Sequence, residues 1–555
     1  MTSRSAIPSA VLVILSAAIG PGQDVVPATE APPSIAQHGV VNLASRMPAR
    51  LAGGAIGRGS LLSIRGFRLG PMEPVRASGS ALAPSLAGVS VRIKQGALET
   101  DALPVMVSAT EIHALLPVSV PPGEIEVRVV RNGQESRTPA KLRIVESSFG
   151  AFSRNGRGWG PGEIRNGDGR RNSLDHPAKP AQMVTLRGTG LGVVEPQSIQ
   201  VVVGNREARA TSVRPAGAQV SGQEPGVDEI AFAIPADAPK GCYVPVRVRS
   251  GGYVSNTVAV TIAGSDGSCS TAEDWMEAQT NQPGKLAILA LIRIAVRLVV
   301  TRREKADYLM DVGYANFEVR TSAHEQNPYY LLPPAGTCTT LAGSTTLSSL
   351  IRPEATLVPA IGALLDPGSI TVQGADGSRK LRAVKPVVLG GNTPWPQAQS
   401  KRFPLLLAPG DFTFSTAGGR EMGPFSTTIR VGATIDWTNR DGIANVDRER
   451  GVTVKWRAAS PKGWVLITAV NSDEDSGGAG LCSCIERASA GSFHVPPNAL
   501  ANIPPTPAEP AGWPTNMLIV AELPGDDTAR TTSSGSVDHV VAFFASASAR
   551  NVSFR

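Results

Sequence analysis

AKPAQMVTLRGTGLG (Ala178–Gly192) and GCYVPVRVRSGGYVSNTVAVTI (Gly241–Ile262) are the two stretches whose reading decides the fold. Around Val184 and Leu186, apolar and polar residues alternate as a half-buried strand requires, and Gly188, Gly190 and Gly192 then break the strand. In the second stretch Val244, Val246 and Val248 share one face, with Arg247 and Arg249 on the other. Gly251-Gly252 makes a turn, and Val258, Val260 and Ile262 form the returning strand. A strand, a glycine corner and a closing hairpin make one small β-sandwich unit.

The rest of the chain has the same character. It has 555 residues, enough for about three to five ordinary domains. Its 58 Gly and 45 Pro indicate turn-rich β structure, and 42% hydrophobic content excludes wholesale disorder. Residues 1–22 read as a secretory signal peptide: Arg4 supplies the positive start, Ala10–Ile19 the apolar core, and Gly20-Pro21-Gly22 the small residues for cleavage. Cleavage removes one arginine from a net charge of +7 and leaves 7 − 1 = +6. The arginines are dispersed along strands, with no run of five or six basic residues, so nucleic acid is not an expected partner. A solvated basic surface is the plain reading, and adhesion to acidic polysaccharide or lipid headgroups the specific one.

Residues 23–38 are expected to form a flexible lead-in. A repeat follows. Leu61–Gly66 and Leu69-Gly70 align with Met183–Gly188 and Leu191-Gly192 at a constant offset of 122, and EVRVVRNGQES aligns with PVRVRSGGYVS. Two copies of one unit are therefore expected, over residues 39–148 and 149–264. Asn132-Gly133 and Gly251-Gly252 turn their closing hairpins. Between the copies, Asn166, Asp168 and Asn172 offer oxygens for calcium, but no twelve-residue loop with a terminal bidentate Glu accompanies them, so turn formation is the favoured reading.

These repeats resemble the tandem Ig-like, IPT/TIG-type C-terminal modules of secreted proteins from Solibacter-type acidobacteria. The residues that carry the resemblance are Gly39–Ser45, Gly59–Gly66, Leu86–Val91, Asn166–Gly169, His176–Ala178 and Thr189–Gly192. The resemblance spans about residues 39–263 and implies secretion and Ig-like folding. It implies no catalytic residue. Arg65, Arg68 and Arg92 stand where the family's first module has short apolar residues.

After a Gly/Ser linker comes LAILALIRIAVRLVV (residues 286–300). It is short for a bilayer span, and Arg293 and Arg297 lie inside it. At period 2, Ile288 through Val300 give one wholly apolar face with both arginines opposite, so a long strand is expected and no transmembrane span. Further strand patterns cover Tyr314–Arg320, Ile370–Val372, Asp411–Ser415 and several segments beyond Phe425. The fold class is all-β, several tandem Ig-like β-sandwich domains, with a third domain over 265–415 and a fourth over 416–555.

Catalytic signatures do not emerge. His324-Glu325 is not followed by the histidine of a zinc protease motif, and neither a nucleophile elbow nor a phosphate loop occurs. Glycosidase carboxylates leave no local signature; Glu325, Asp436 and Asp441 are the candidates considered. The acidic run Asn471–Ser476 reads as a solvated hairpin tip before it reads as a weak calcium loop. No cofactor is expected, calcium being the one weak possibility. In an exported chain Cys242 should pair with Cys269. One of Cys482 and Cys484 should pair with Cys338, Cys484 being the candidate, and the other stays free. Trp159, Trp395 and Trp513 are candidate aromatic contacts, because flat rings stack on apolar sugar faces. Together these features predict a secreted, non-catalytic binding or adhesion protein whose partner is an extracellular polysaccharide or envelope protein. A structural spacer and a cryptic polysaccharide hydrolase are the alternatives.

Overall fold

The structure, a computed structural model, describes residues 31–48, 51–78, 82–215, 224–269, 283–299, 305–320, 332–343, 363–384, 388–390, 407–473, 478–507, 516–525, 530–531 and 536–555. Residues 1–22, expected as a signal peptide, together with Glu325, Trp395, Trp513 and the acidic residues Glu474 and Asp475, lie outside them. The fold is all-β. In the first unit the main strands are β1 (Ser34–Asn42), β2 (Leu61–Phe67), β3 (Val89–Gln95), β4 (Leu98–Val107), β5 (Glu111–Leu115), β6 (Gly123–Arg131) and β7 (Ala140–Val145). In the second they are β8 (Met183–Thr189), β9 (Gln200–Val203), β10 (Arg206–Arg214), β11 (Asp228–Ala233), β12 (Gly241–Ser250) and β13 (Val258–Ile262).

Hydrogen-bonded neighbours run β2-β5-β4-β3-β6-β7 in the first unit and β8-β11-β10-β9-β12-β13 in the second. Strand for strand the order is the same, and β2 and β8 are the segments that the 122-residue offset aligns. Each unit closes over its own aliphatic core, the first around Leu62, Ile64, Val91 and Val127, the second around Leu186, Val201, Phe232 and Val246. The glycine corner has a steric cause. Gly190 and Gly192 have φ of +92° and +68°, and a Cβ on Gly192 would stand 2.0 Å from the Glu146 carbonyl oxygen. The chain between the units can therefore lie directly on the end of β8, where Ser148 N donates to Gly190 O at 2.9 Å.

The flexible lead-in is corrected at its C-terminal end. Ser34 and Ile35 pair with Phe67 and Gly66, so β1 begins four residues before His38. The edge of β2 leaves backbone groups unpaired, and β1 satisfies them.

Residues beyond 283 form β14 (Gly284–Val299), β15 (Lys305–Arg320), β16 (Thr337–Gly343), β17 (Ile370–Gly374), β18 (Gly377–Lys380), β19 (Gly410–Thr416), β20 (Phe425–Val431), β21 (Val452–Arg457), β22 (Trp464–Asp473), β23 (Gly478–Arg487), β24 (Ser492–Val495), β25 (Met517–Leu523) and β26 (His539–Asn551). One sheet runs β16-β23-β22-β25-β26-β14-β15. Two smaller sheets cover parts of it. The sheet β18-β17-β19-β20 packs Phe412, Phe414 and Ile429 onto Ala287, Leu289 and Leu291, while β21 and β24 pack Val454, Trp456 and Val495 onto Ile467 and Val520. The boundary expected at 415/416 therefore does not separate two sheets. β14 pairs in parallel with β26, and β16 pairs with β23, across that point.

β14 is a strand, and among the described residues no helix is long and apolar enough to cross a membrane. Its buried face differs from expectation. Ala287, Leu289 and Leu291, on the same side as the arginines, enter the core under β19 and β20; the opposite side is buried at Leu286 and Ala290 and again at Val296 and Leu298. The covering sheet is shorter than β14. Beyond it, cross-strand acids on β15 neutralise the arginines: Arg293 makes two bonds of 2.8 Å to Asp311, and Arg297 bonds Asp307 at 2.8 and 2.9 Å.

The three units meet at buried polar contacts. Thr189 Oγ1 accepts from Leu61 N at 2.8 Å and donates to Gly226 O at 2.7 Å. Asn502 Oδ1 accepts from Gly53 N at 2.8 Å, and its Nδ2 donates to Val254 O and Ser255 O at 3.2 and 3.0 Å. One carboxamide thus joins all three. Arg247, read from alternation as lying on a solvated face, is 2% exposed and donates to Thr257 Oγ1 at 2.9 Å and to Cys338 O. Burial pulls its pKa down to about 10, which leaves it charged at neutral pH.

Residues 416–555 expressed alone are expected to be aggregated or unfolded by far-ultraviolet circular dichroism, because β26 and β23 lose their partner strands β14 and β16. A cooperative thermal transition from that fragment would refute the shared sheet.

Candidate binding cleft on the first sandwich

The cleft begins with a mismatch in length between β1 and β2. Ile35 pairs with Gly66 and Val40 with Ile64, so four residues, Ala36–Gly39, stand opposite Arg65 alone. β1 bulges outward, and His38 takes the left-handed conformation at φ 53°. Gly39 and Gly66 allow the close approach on either side. A Cβ on Gly39 would stand 2.5 Å from Arg65 O, and one on Gly66 would stand 2.0 Å from Ser34 O. The bulge opens a cleft of about 540 Å³ lined by Gln37, His38, Arg65, Phe67, Thr110 and Glu111, among others. Arg68 and Arg46, at its margins, also have positive φ, 55° and 57°. Three strained non-glycine residues around one cleft require surroundings that hold them there.

The charged floor is set by strand pairing. Arg65 and Glu111 are cross-strand partners on β2 and β5, as are Ser63 and His113. His113 Nε2 lies 3.1 Å from Glu111 Oε1, Ser63 Oγ donates to the same oxygen at 2.7 Å, and the Arg46 guanidinium bonds it as well. The His113 bond first, then Ser63 and Arg46, hold the Glu111 carboxyl well below its ordinary range against the opposing effect of burial. Burial, and then Arg46, push the Arg65 guanidinium below its ordinary range as well. Phe67 projects from the rim and is 64% exposed. The cleft thus combines a fixed anion, one guanidinium, an imidazole, an amide and an open phenyl face. That is a set suited to hydroxyls and an apolar ring face. It holds one carboxylate, already committed, where glycoside hydrolysis ordinarily needs a pair.

Other candidate residues lie elsewhere. Trp159 is corrected as an exposed platform. It is 7% exposed and packs with Tyr243, Leu341 and the Cys242–Cys269 disulfide. Gly156, Gly158 and Gly160, all with positive φ, fold its loop back onto that bridge. Cys338 is joined to Cys484, and Cys482 is the free thiol, buried and pushed up to about 11 by that burial. Asn166 and Asn172 are buried in hydrogen bonds that tie their hairpin to β13: Asn172 Nδ2 donates to Asn166 Oδ1 at 3.1 Å, and Asn172 Oδ1 accepts from Thr261 N at 2.8 Å. Asp168 Oδ1 accepts from Arg170 N at 3.0 Å. Asn471 is corrected from a solvated tip to a buried strand residue whose Nδ2 donates to Pro504 O. Asp441 is bound to Arg297, and Asp436 lies 3.8 Å from Arg457. A smaller cavity of about 150 Å³ near Asp436 is lined by Arg293, Trp437 and Arg440.

Sequence reasoning missed the cleft. Its signals were the Gly39 and Gly66 pair and the arginines at 65 and 68, noticed only as a departure from an apolar pattern.

No family model and no curated protein matches the chain. Among solved structures it is similar to SGBP-B from the mixed-linkage glucan utilization locus of Bacteroides ovatus, in complex with a mixed-linkage heptasaccharide. The TM-score is 0.13 at 11% identity, covering 78% of this chain and 80% of that one. It is also similar to a Ca2+-stabilized adhesin that helps an Antarctic bacterium reach out and bind ice (TM-score 0.12, 10% identity, 87% of this chain and 94% of that one). A third is the FN1–FN3 region of chicken CNTN1 (TM-score 0.13, 8% identity, 72% and 99%). Likenesses at these TM-scores carry no argument about ligand or role.

Glu111→Gln is expected to destabilise the chain by about 1–3 kcal/mol at neutral pH, since it removes the charge to which Ser63 and Arg46 donate and beside which His113 lies. Because the folded carboxyl ionises well below its ordinary 4.5, the stabilisation is full above that value. It fades as pH falls toward the folded value, so the variant's deficit should shrink in acid. Urea denaturation across pH checks this; a deficit that grows in acid would contradict it.

Proposed function

We propose that the chain is a non-catalytic binding protein of the cell exterior, and that its first sandwich holds an extracellular polysaccharide in the cleft beneath the β1 bulge. The observation that carries this reading is the bulge itself: a strained backbone opens a polar, charged cleft directly beside an exposed aromatic ring. Flat rings cover apolar sugar faces while carboxylate, guanidinium and amide groups meet the hydroxyls. The secretory pattern of residues 1–22 and the likeness of the repeats to secreted IPT/TIG-type modules support an exported setting. An envelope protein is a second partner class for the same surface.

A spacer role is the second reading, favoured by the buried contacts of Asn502 and Arg247 that join the three units. Rigid coupling serves display of another component as well as recognition.

The deciding experiment is binding of the exported chain to a glycan panel at low and high salt. Saturable binding that survives high salt is expected, with affinity falling about tenfold in Phe67→Ala, as loss of one ring contact implies. Unchanged melting of the variant would separate this from misfolding. Attraction that vanishes with salt would mean that only net positive charge is read, and no binding at all would favour the spacer.

A further inference from the structure

A cluster of sulfurs lies at the centre of the third unit, far in role from the cleft. Cys338 on β16 and Cys484 on β23 are cross-strand partners, and Thr340 faces Cys482 in the same ladder. Cys482 and Cys484 are two residues apart on β23 and so project to one side. All three sulfurs lie within 4.8 Å of one another, with Cys482 Sγ 3.7 Å from Cys484 Sγ. Each residue is 2% exposed or less, in a core shared with Trp437, Val465 and Leu518.

Beside the sulfurs lies Arg247. Its guanidinium donates to Thr257 Oγ1, Cys338 O and Thr340 Oγ1, all of them neutral acceptors. Among the described residues these neutral groups alone hold it, and a buried cation so held is costly. A disulfide and a thiol offer it no counter-charge. Three thiolates around a divalent ion would offer one: −3 from sulfur and +2 from the ion leave −1, which the guanidinium balances.

We propose that in the reduced chain Cys338, Cys482 and Cys484 form a thiolate site for one soft divalent ion of the zinc or cadmium class, with Arg247 as its charge partner. Metal–sulfur bonds of about 2.3 Å set neighbouring ligand sulfurs roughly 3.8 Å apart in tetrahedral geometry. The Cys482–Cys484 spacing already meets that requirement. Cys338 must part from Cys484 first. A dithiol reductant supplies two electrons and two protons to the Cys338–Cys484 bond and leaves as its own disulfide; the ion then displaces three thiol protons to solvent. The Thr340 hydroxyl, which contacts Cys482 and Arg247 and donates to Ala499 O at 2.7 Å, could take a fourth position only by giving up one of these contacts. Metal and disulfide use the same two sulfurs, so the two states exclude each other. This assignment is independent of the polysaccharide reading.

The test is titration of the full chain with cadmium after anaerobic dithiol reduction and removal of excess reductant, read by sulfur-to-cadmium charge-transfer absorbance. Reduction also frees Cys242 and Cys269, so the titration is repeated on Cys242→Ser; in that variant one equivalent is expected to saturate the reduced chain, and the oxidised chain should show no such band. Cys482→Ser leaves the disulfide pair untouched, so its folding can be checked in the oxidised state; once reduced, it should bind cadmium at least about tenfold more weakly. Arg247→Gln should weaken binding by about tenfold to a hundredfold. The proposal is overturned by absence of the band in the reduced chain, by equal binding in Cys482→Ser, or by unfolding of the chain on reduction.

Discussion

The parallel pairing of β14 with β26, from Leu286 opposite His539 to Arg297 opposite Arg550, is the constraint on which the C-terminal half depends. Each strand has one edge satisfied by its neighbour in sequence, β15 or β25, and the other only by this pairing, because parallel partners require a long crossover. Here everything from β15 to β25 lies within that crossover, so the small sheet over β14 folds onto a surface completed only once the ends have met. Such pairing is entropically late, and it makes the whole region one cooperative body. It also explains Arg293 and Arg297. A strand this long outruns the sheet that covers it, and cross-strand aspartates neutralise what apolar packing does not reach.

Attachment of the two N-terminal sandwiches to this body depends on few groups with high individual cost. Asn502 meets a donor from the first unit and two acceptors from the second, and Arg247 reaches from the second into the third. Leaving any of these buried groups unpartnered costs the full desolvation penalty, so the contacts specify relative position as well as adding stability. A rigid mount of this kind holds the cleft at a fixed place relative to the rest of the chain.

The cleft and the sulfur cluster obey one rule from opposite directions. At β1, extra residues relieve the pairing, and strain at His38 is exchanged for open space. At Cys338 and Cys484, unrelieved pairing brings sulfurs together in a sealed core, with a charge beside them that the neutral state does not answer. The first is a departure from a regular ladder and the second a consequence of keeping one.

Much of the fold was legible in the sequence because its rules are local. Period-2 alternation marked the strands, Gly190 and Gly192 marked a corner that no Cβ could occupy, and the offset of 122 marked two units that share one strand order. Alternation tells which side a residue faces, but not what lies on that side. Arg247 and Trp159 were therefore read as surface residues, although a neighbouring unit covers the first and a folded loop over a disulfide buries the second. The boundary at 415/416 was illegible for a related reason. Pairing between residues some 250 positions apart leaves no trace in either segment's own pattern. Of the candidate site, the sequence carried the ingredients Gly39, Arg65, Gly66 and Glu111. Only the register of β1 against β2 placed them around one cleft, because a bulge is a property of two strands together.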